Sequence, residues 1–160
     1  MSTEAGRMQG KRCIVTGGAQ GFGEGIAERF AKEGATVAIL DIQEGKAAEA
    51  AGRIGHGAFA VGCDVSSRAS VAAAWEACEA KMGGVDVLVN NAGWSHKNQP
   101  ALETTEEEFD RVYAINVKQI WNFCQVAVPA WRGQGGGVML NIGSTAGIRP
   151  RPGLSWDNST

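Results

Sequence analysis

The chain has 160 residues and a formal net charge of −2, enough for one domain with a hydrophobic core and too few for two. That balance supplies no basic field to hold nucleic acid or an anionic membrane surface. Hydrophobic residues at 44% and charged residues at 20% are ordinary for a soluble globular protein.

No apolar run reaches the length of a membrane span. Residues 1–10 read as a short polar tail without the apolar core of a signal peptide, so the expected location is cytoplasmic. Cys13, Cys63, Cys78 and Cys124 lie far apart with no C-x-x-C pair, as small buried residues kept reduced would. Neither His56 nor His96 supplies zinc-ligand spacing, and no metal is expected. Glycine is the outlier: 23 residues, about twice the usual share, imply many tight turns.

In chain order, Cys13 to Val15 is a short buried run that ends in Thr16-Gly17-Gly18. Ile26, Ala27, Phe30 and Ala31 recur at helical spacing until Gly34. Val37 to Leu40 forms a second run, ended by Asp41, and the Ala-, Glu- and Lys-rich segment from Glu44 to Ile54 has the composition of a surface helix. Phe59 to Cys63 reads as a strand, with Ser66 or Ser67 able to cap a helix running to about Met82. Val85 to Val89 reads as a fourth strand. Thr105 then precedes one long helix with Phe109, Val112, Asn116, Ile120, Phe123 and Ala127 along a face. Val138 to Ile142 reads as a fifth strand. Strands alternating with helices predict an α/β, doubly wound parallel sheet (a Rossmann fold) over residues 11–160, and continuous apolar runs fit strands covered on both faces.

The turn Thr16-Gly17-Gly18-Ala19-Gln20-Gly21-Phe22-Gly23 lies between a strand and a helix, where glycines let the backbone approach a pyrophosphate. The helix start at Gly21 would aim unpaired N–H groups at the phosphates. Asp41, at the end of the next strand, can accept hydrogen bonds from the adenosine ribose and would repel a 2′-phosphate. Gln20 and Ile42 offer no cation to neutralise such a phosphate, so NAD is expected over NADP.

The spacing Thr16-Gly17-x-x-x-Gly21-x-Gly23 resembles the short-chain dehydrogenase/reductase family. Further matches follow in order: Asp64-Val65 after the third strand, Asn90-Asn91-Ala92-Gly93 at the end of the fourth, Ile115-Asn116-Val117 in the long helix, and Asn141-Ile142-Gly143-Ser144 at the end of the fifth. The resemblance implies an oxidoreductase that moves hydride between a small alcohol or carbonyl substrate and NAD(H). It implies cofactor contacts from Gly17, Gln20, Gly21, Phe22, Gly23, Asp41, Asp64, Val65, Asn91, Ala92 and Gly93. Asn116 would support a water in the proton relay and Ser144 would hydrogen-bond the substrate oxygen. A homo-oligomer is expected for the complete family member. A methyltransferase, also glycine-rich and doubly wound, would not be expected to carry these matches together. Trp94, His96 and Trp121 are candidate substrate contacts, with packing or loop surface as the alternative.

The family pattern breaks near the end. Its catalytic tyrosine is expected thirteen residues beyond the serine, where this chain has Asp157, and its lysine would fall one position past Thr160. An aspartate is ionised at neutral pH, so it has no proton to donate to a ketone, and its charge would oppose a developing alkoxide. It is also shorter than tyrosine. The expectation is a truncated family domain impaired in catalysis. The alternatives are a non-catalytic dinucleotide-binding fragment or pseudoenzyme, or a structural or interaction fragment. On the truncated reading, Val138 to Ile142 would be an exposed edge strand prone to association.

Overall fold

A computed structural model describes residues 6–160. Five strands, β1 (Arg12–Thr16), β2 (Thr36–Asp41), β3 (Phe59–Gly62), β4 (Val87–Asn90) and β5 (Val138–Asn141), form one sheet in the order β3-β2-β1-β4-β5. Every pairing is parallel, with Val15 opposite Ile39 on one side and Val89 on the other. The helices are α1 (Gly21–Lys32), α2 (Glu44–Ile54), α3 (Arg68–Met82), α4 (Glu106–Asn116) and α5 (Lys118–Gln134).

Side chains of a strand alternate between the two faces of the sheet, and the core divides accordingly. Cys13, Val15, Val37 and Ile39 pack against Ala27 and Ala31 of α1 and Ala47, Ala50 and Ile54 of α2. Ile14, Ala38, Leu40 and Leu88 pack against Val71, Trp75 and Cys78 of α3 and Phe123 and Ala127 of α5. The chain winds outward from β1 through β2 to β3, then returns to place β4 on the other side of β1. That reversal opens a crevice at the carboxyl ends of the strands, where open α/β sheets bind ligands.

Local signals account for the helix starts. Ser67, not Ser66, caps α3 by accepting the Ser70 N–H at 3.3 Å. Thr105 and Glu108 form a reciprocal capping box at α4. β4 begins at Val87, two residues later than expected, and the preceding Asp86 is engaged with Arg12: its carboxylate accepts from Arg12 Nη2 at 2.7 Å and Nε at 2.9 Å.

One expectation is corrected. The single long helix after Thr105 is two helices, broken at Val117, whose backbone sits at φ −108°, ψ −54°. There the Ile120 N–H bonds the Val117 carbonyl, three residues back, and the ladder tightens by one residue. Of the ten-residue tail, residues 1–5 lie outside the described residues, whereas residues 6–10 are fastened to the end of α1. Met8 N–H donates to Glu33 O at 3.0 Å, Gly10 N–H donates to Gly34 O at 3.1 Å, and the Met8 side chain joins the core.

β5 is an edge strand, and Val138, Leu140 and Ile142 are about half exposed along it. Among the described residues, no helix is long and apolar enough to cross a membrane.

Candidate functional site

The β1–α1 turn forms the floor of a cleft of about 540 Å³ at the carboxyl edge of the sheet. Gly17 has φ +61°, and a Cβ there would lie 2.8 Å from Ala92 Cα, so conformation and space both require glycine. A Cβ on Gly23 would run into the Gly17 carbonyl and the Asn91 amide. α1 therefore begins directly beneath the turn. Its N-cap residue, Gln20, makes no side-chain capping bond, so the first N–H groups of α1 remain available to an anion.

Thr16 ties this turn to the end of β4. Its buried Oγ1 accepts the N–H of Asn91 at 2.9 Å and of Ala92 at 3.0 Å, and faces Gln119 Oε1 at 3.3 Å. Gln119, only 2% exposed, donates from Nε2 to the Ala92 carbonyl. Asn91 Nδ2 donates back to the carbonyls of Thr16 at 2.9 Å and Gly17 at 3.2 Å. The Asn91 amide thus braces the turn, although the residue also borders the cleft.

Asp41 ends β2 at the rim. Its carboxylate accepts the N–H groups of Ala19 at 3.2 Å and Gln43 at 3.0 Å, which fixes it beside the turn. Asp64 follows β3 and accepts from the Ser66 N–H at 2.9 Å and hydroxyl at 2.6 Å. Val65, Ala92, Gly93, Trp94, Arg111 and Ile115 complete the walls. All the residues proposed from sequence as cofactor contacts line this one cleft except Gly23, which sits beneath it.

A second cleft of about 390 Å³ collects the three residues proposed for the chemistry, Asn116, Ser144 and Asp157. The Asn116 amide is largely occupied: Oδ1 accepts the Trp94 N–H at 2.9 Å, and Nδ2 donates to the Trp94 carbonyl and to Thr160 Oγ1, each at 3.0 Å. Ser144 is exposed, and its Oγ accepts the Ala146 N–H at 3.1 Å, leaving the hydroxyl proton free to point elsewhere. Asp157 is half-buried. Its segment docks on α4 through an edge-to-face contact of Trp156 with Phe109, centroids 5.1 Å apart, and through Ser159 Oγ at 2.7 Å from the Tyr113 hydroxyl.

The three residues considered as substrate contacts separate. Trp94 borders the larger cleft. His96 is buried, with Nδ1 2.7 Å from the Lys97 carbonyl. Trp121 is exposed on α5 beneath the Arg68 guanidinium, 5.3 Å from its ring centroid. Sequence reasoning missed Arg111, Ile115 and Gln119. Their signal was position: Arg111 lies five residues before Asn116, Ile115 beside it, and Gln119 three residues beyond it.

None of the cysteines is paired. Burial pushes the thiols of Cys13 and Cys78 up to about 12 and that of Cys63 up to about 11. Cys63 borders the larger cleft as a neutral side chain, not as a nucleophile.

A parallel doubly wound sheet with a glycine-rich turn at its switch point defines a Rossmann-type domain. The sequence profile described as short chain dehydrogenase matches residues 11–156, and the chain belongs to the short-chain dehydrogenase/reductase family. It is 47% identical over 150 residues to a 4-formylbenzenesulfonate dehydrogenase of Comamonas testosteroni, covering 89% of this chain and 58% of that protein. It is 38% identical over 148 residues to a sorbitol dehydrogenase of Cereibacter sphaeroides, covering 89% and 56%. A crystal structure of a 3-ketoacyl-(acyl-carrier-protein) reductase from Brucella melitensis complexed with NADH superposes with a TM-score of 0.91 at 45% identity, over 95% of this chain and 64% of that one. The chain therefore spans less than two thirds of the length of these relatives.

Proposed function

We propose that this chain is the dinucleotide-binding part of an NAD(H)-dependent oxidoreductase acting on a secondary alcohol or ketone, and that Asp157 leaves it impaired in catalysis. The observation that carries the cofactor assignment is the placement of Asp41. Its carboxylate is anchored by two backbone N–H groups at the cleft rim, beside the uncapped start of α1. A pyrophosphate suits the free N–H groups of α1, and a ribose diol suits Asp41. A 2′-phosphate beside that carboxylate would be repelled, which favours NAD(H) over NADP(H).

When bound, the nicotinamide supplies or accepts hydride. This chain's own part in the chemistry falls to the second cleft. The Ser144 hydroxyl can hydrogen-bond a substrate oxygen, and Asn116 holds the loop after β4 in place through Trp94. Asp157 borders the same cleft and places a carboxylate where the reaction needs a proton donor. That placement supports the second reading, a dinucleotide-binding chain without turnover.

Calorimetry on the purified chain with NAD⁺, NADH and NADP⁺ tests the assignment. Saturable binding of NAD⁺ and NADH is expected, weaker for NADP⁺ and weakened about tenfold for NADH by Asp41→Ala, as loss of charge-assisted hydrogen bonds implies. Tighter binding of NADP⁺ would reverse the preference, and no binding of either dinucleotide would overturn the assignment. Sustained NADH oxidation with any ketone of a test panel would overturn the impairment.

A further inference from the structure

Arg111 is the one lysine or arginine among the residues that line the larger cleft, which also presents Asp41 and Asp64. Its guanidinium carbon lies 4.5 Å from the centroid of the Trp94 ring. Among the described residues it enters no ion pair, although Glu106, Glu107, Glu108 and Asp110 are its neighbours along α4. An exposed arginine beside four acids would ordinarily lean toward one of them. This one lies over an indole at the mouth of a cleft.

The surrounding walls indicate what it faces. Ile115 borders the cleft one turn further along α4, and Asp64 and Val65 border it from the end of β3. Asn122 of α5 donates to the Val65 carbonyl at 2.9 Å and ties α5 to that strand end. On the cofactor reading above, Asp41 holds the adenosine ribose, and the attached base falls next to β3, the strand beyond β2.

Resting on that reading, we propose that Arg111, positioned by Trp94, is a further cofactor-binding residue whose planar guanidinium stacks on the adenine base and forms the outer wall of its pocket. A guanidinium is weakly hydrated and planar, so it stacks on an aromatic face more readily than an ammonium does. Its charge also offsets the two carboxylates that would otherwise dominate the cleft. Trp94 holds one side of the group in place before any ligand arrives, which lowers the ordering cost of binding.

The test is titration of the whole chain with adenosine, AMP, ADP-ribose and nicotinamide mononucleotide, followed by NMR or calorimetry. Arg111→Ala is expected to weaken adenosine, AMP and ADP-ribose alike, by about tenfold, and to leave nicotinamide mononucleotide unchanged. Arg111→Lys should fall between, and Trp94→Ala should also weaken adenosine. Arg111 is exposed, so its variants should melt with the parent chain. Unchanged adenosine affinity in Arg111→Ala overturns the proposal. Weaker AMP with unchanged adenosine overturns it as well, because the contact would then be to phosphate. ADP-ribose binding that responds to Asp41→Ala and not to Arg111→Ala sinks the arginine alone. A parent chain that fails to bind ADP-ribose removes the cofactor reading and this proposal together.

Discussion

The Thr16 hydroxyl oxygen lies 2.9 Å from the backbone nitrogen of Asn91, a residue 75 positions away in the chain. One buried oxygen there receives two consecutive N–H groups from the end of β4 and sets the distance between the two strands that bound the larger cleft.

Thr16→Val keeps the shape and removes the acceptor. Two partly buried N–H groups would lose their partner, at about 1 kcal/mol each before relaxation. The expected result is a loss of roughly 2 kcal/mol in urea unfolding, with weakened NADH binding. Thr16→Ser should retain most of both. Equal stability of Thr16→Val and the parent chain would show that water or a shifted backbone replaces the hydroxyl.

The two glycines at Gly23 and Gly25 should respond in opposite directions. A Cβ on Gly23 meets the Gly17 carbonyl and the Asn91 amide, whereas a Cβ on Gly25 meets nothing within 4 Å. Gly23→Ala should therefore displace the turn, lower the melting temperature and abolish dinucleotide binding. Gly25→Ala lies inside α1 and should stabilise the chain by about 0.5–1 kcal/mol through helix propensity. A stabilising Gly23→Ala would mean that α1 can move away from the turn at little cost.

Much of this arrangement was legible in the sequence because the signals are local. α2 runs from Glu44 to Ile54 as its composition implies, and the five strands appear in the expected order with ends shifted by no more than two residues. The break at Val117 was not legible, because Val112, Phe123 and Ala127 are buried on both sides of it and the hydrophobic face runs on unbroken. The polar cluster of Thr16, Asn91 and Gln119 was hidden for a different reason. Thr16 and Gln119 are 103 residues apart, and no local pattern reveals that a buried glutamine on one helix completes a turn on another. Arg111 was hidden by its ordinariness, since a helical arginine beside acids usually marks a solvated face.

Arg12 and Asp86 fasten the opposite end of the sheet, and their pairing sets a pH dependence. The hydrogen bond from the Arg12 side chain, ahead of the partial burial that opposes it, holds the Asp86 carboxyl below its ordinary value. A carboxyl depressed on folding contributes stability that is full above its unfolded pKa, about 3.9, and is lost as pH falls through the lower folded value. Unfolding free energy should therefore drop between about pH 5 and the folded pKa of Asp86, and Asp86→Asn should flatten that part of the profile. The pair is partly exposed, with side chains 28% and 24% accessible, so the effect should shrink in high salt. An acid limb of the same slope in Asp86→Asn would assign the acid sensitivity to other carboxylates.

The last expectation concerns β5. Val138 and Leu140 share one face of an edge strand, at 51% and 44% exposure, and Ile142 continues the row. An edge strand with free backbone groups and an apolar face templates pairing with another chain. The purified chain should therefore associate as its concentration rises. A charge on the strand opposes pairing, as natural edges do with lysine. Leu140→Lys should shift light scattering toward monomer while NADH binding, neither of whose clefts is lined by Leu140, stays unchanged. Association that persists in Leu140→Lys with the same concentration dependence would move the contact off this strand, and the exposed face of α5 bearing Trp121 and Val128 would be the next surface to alter.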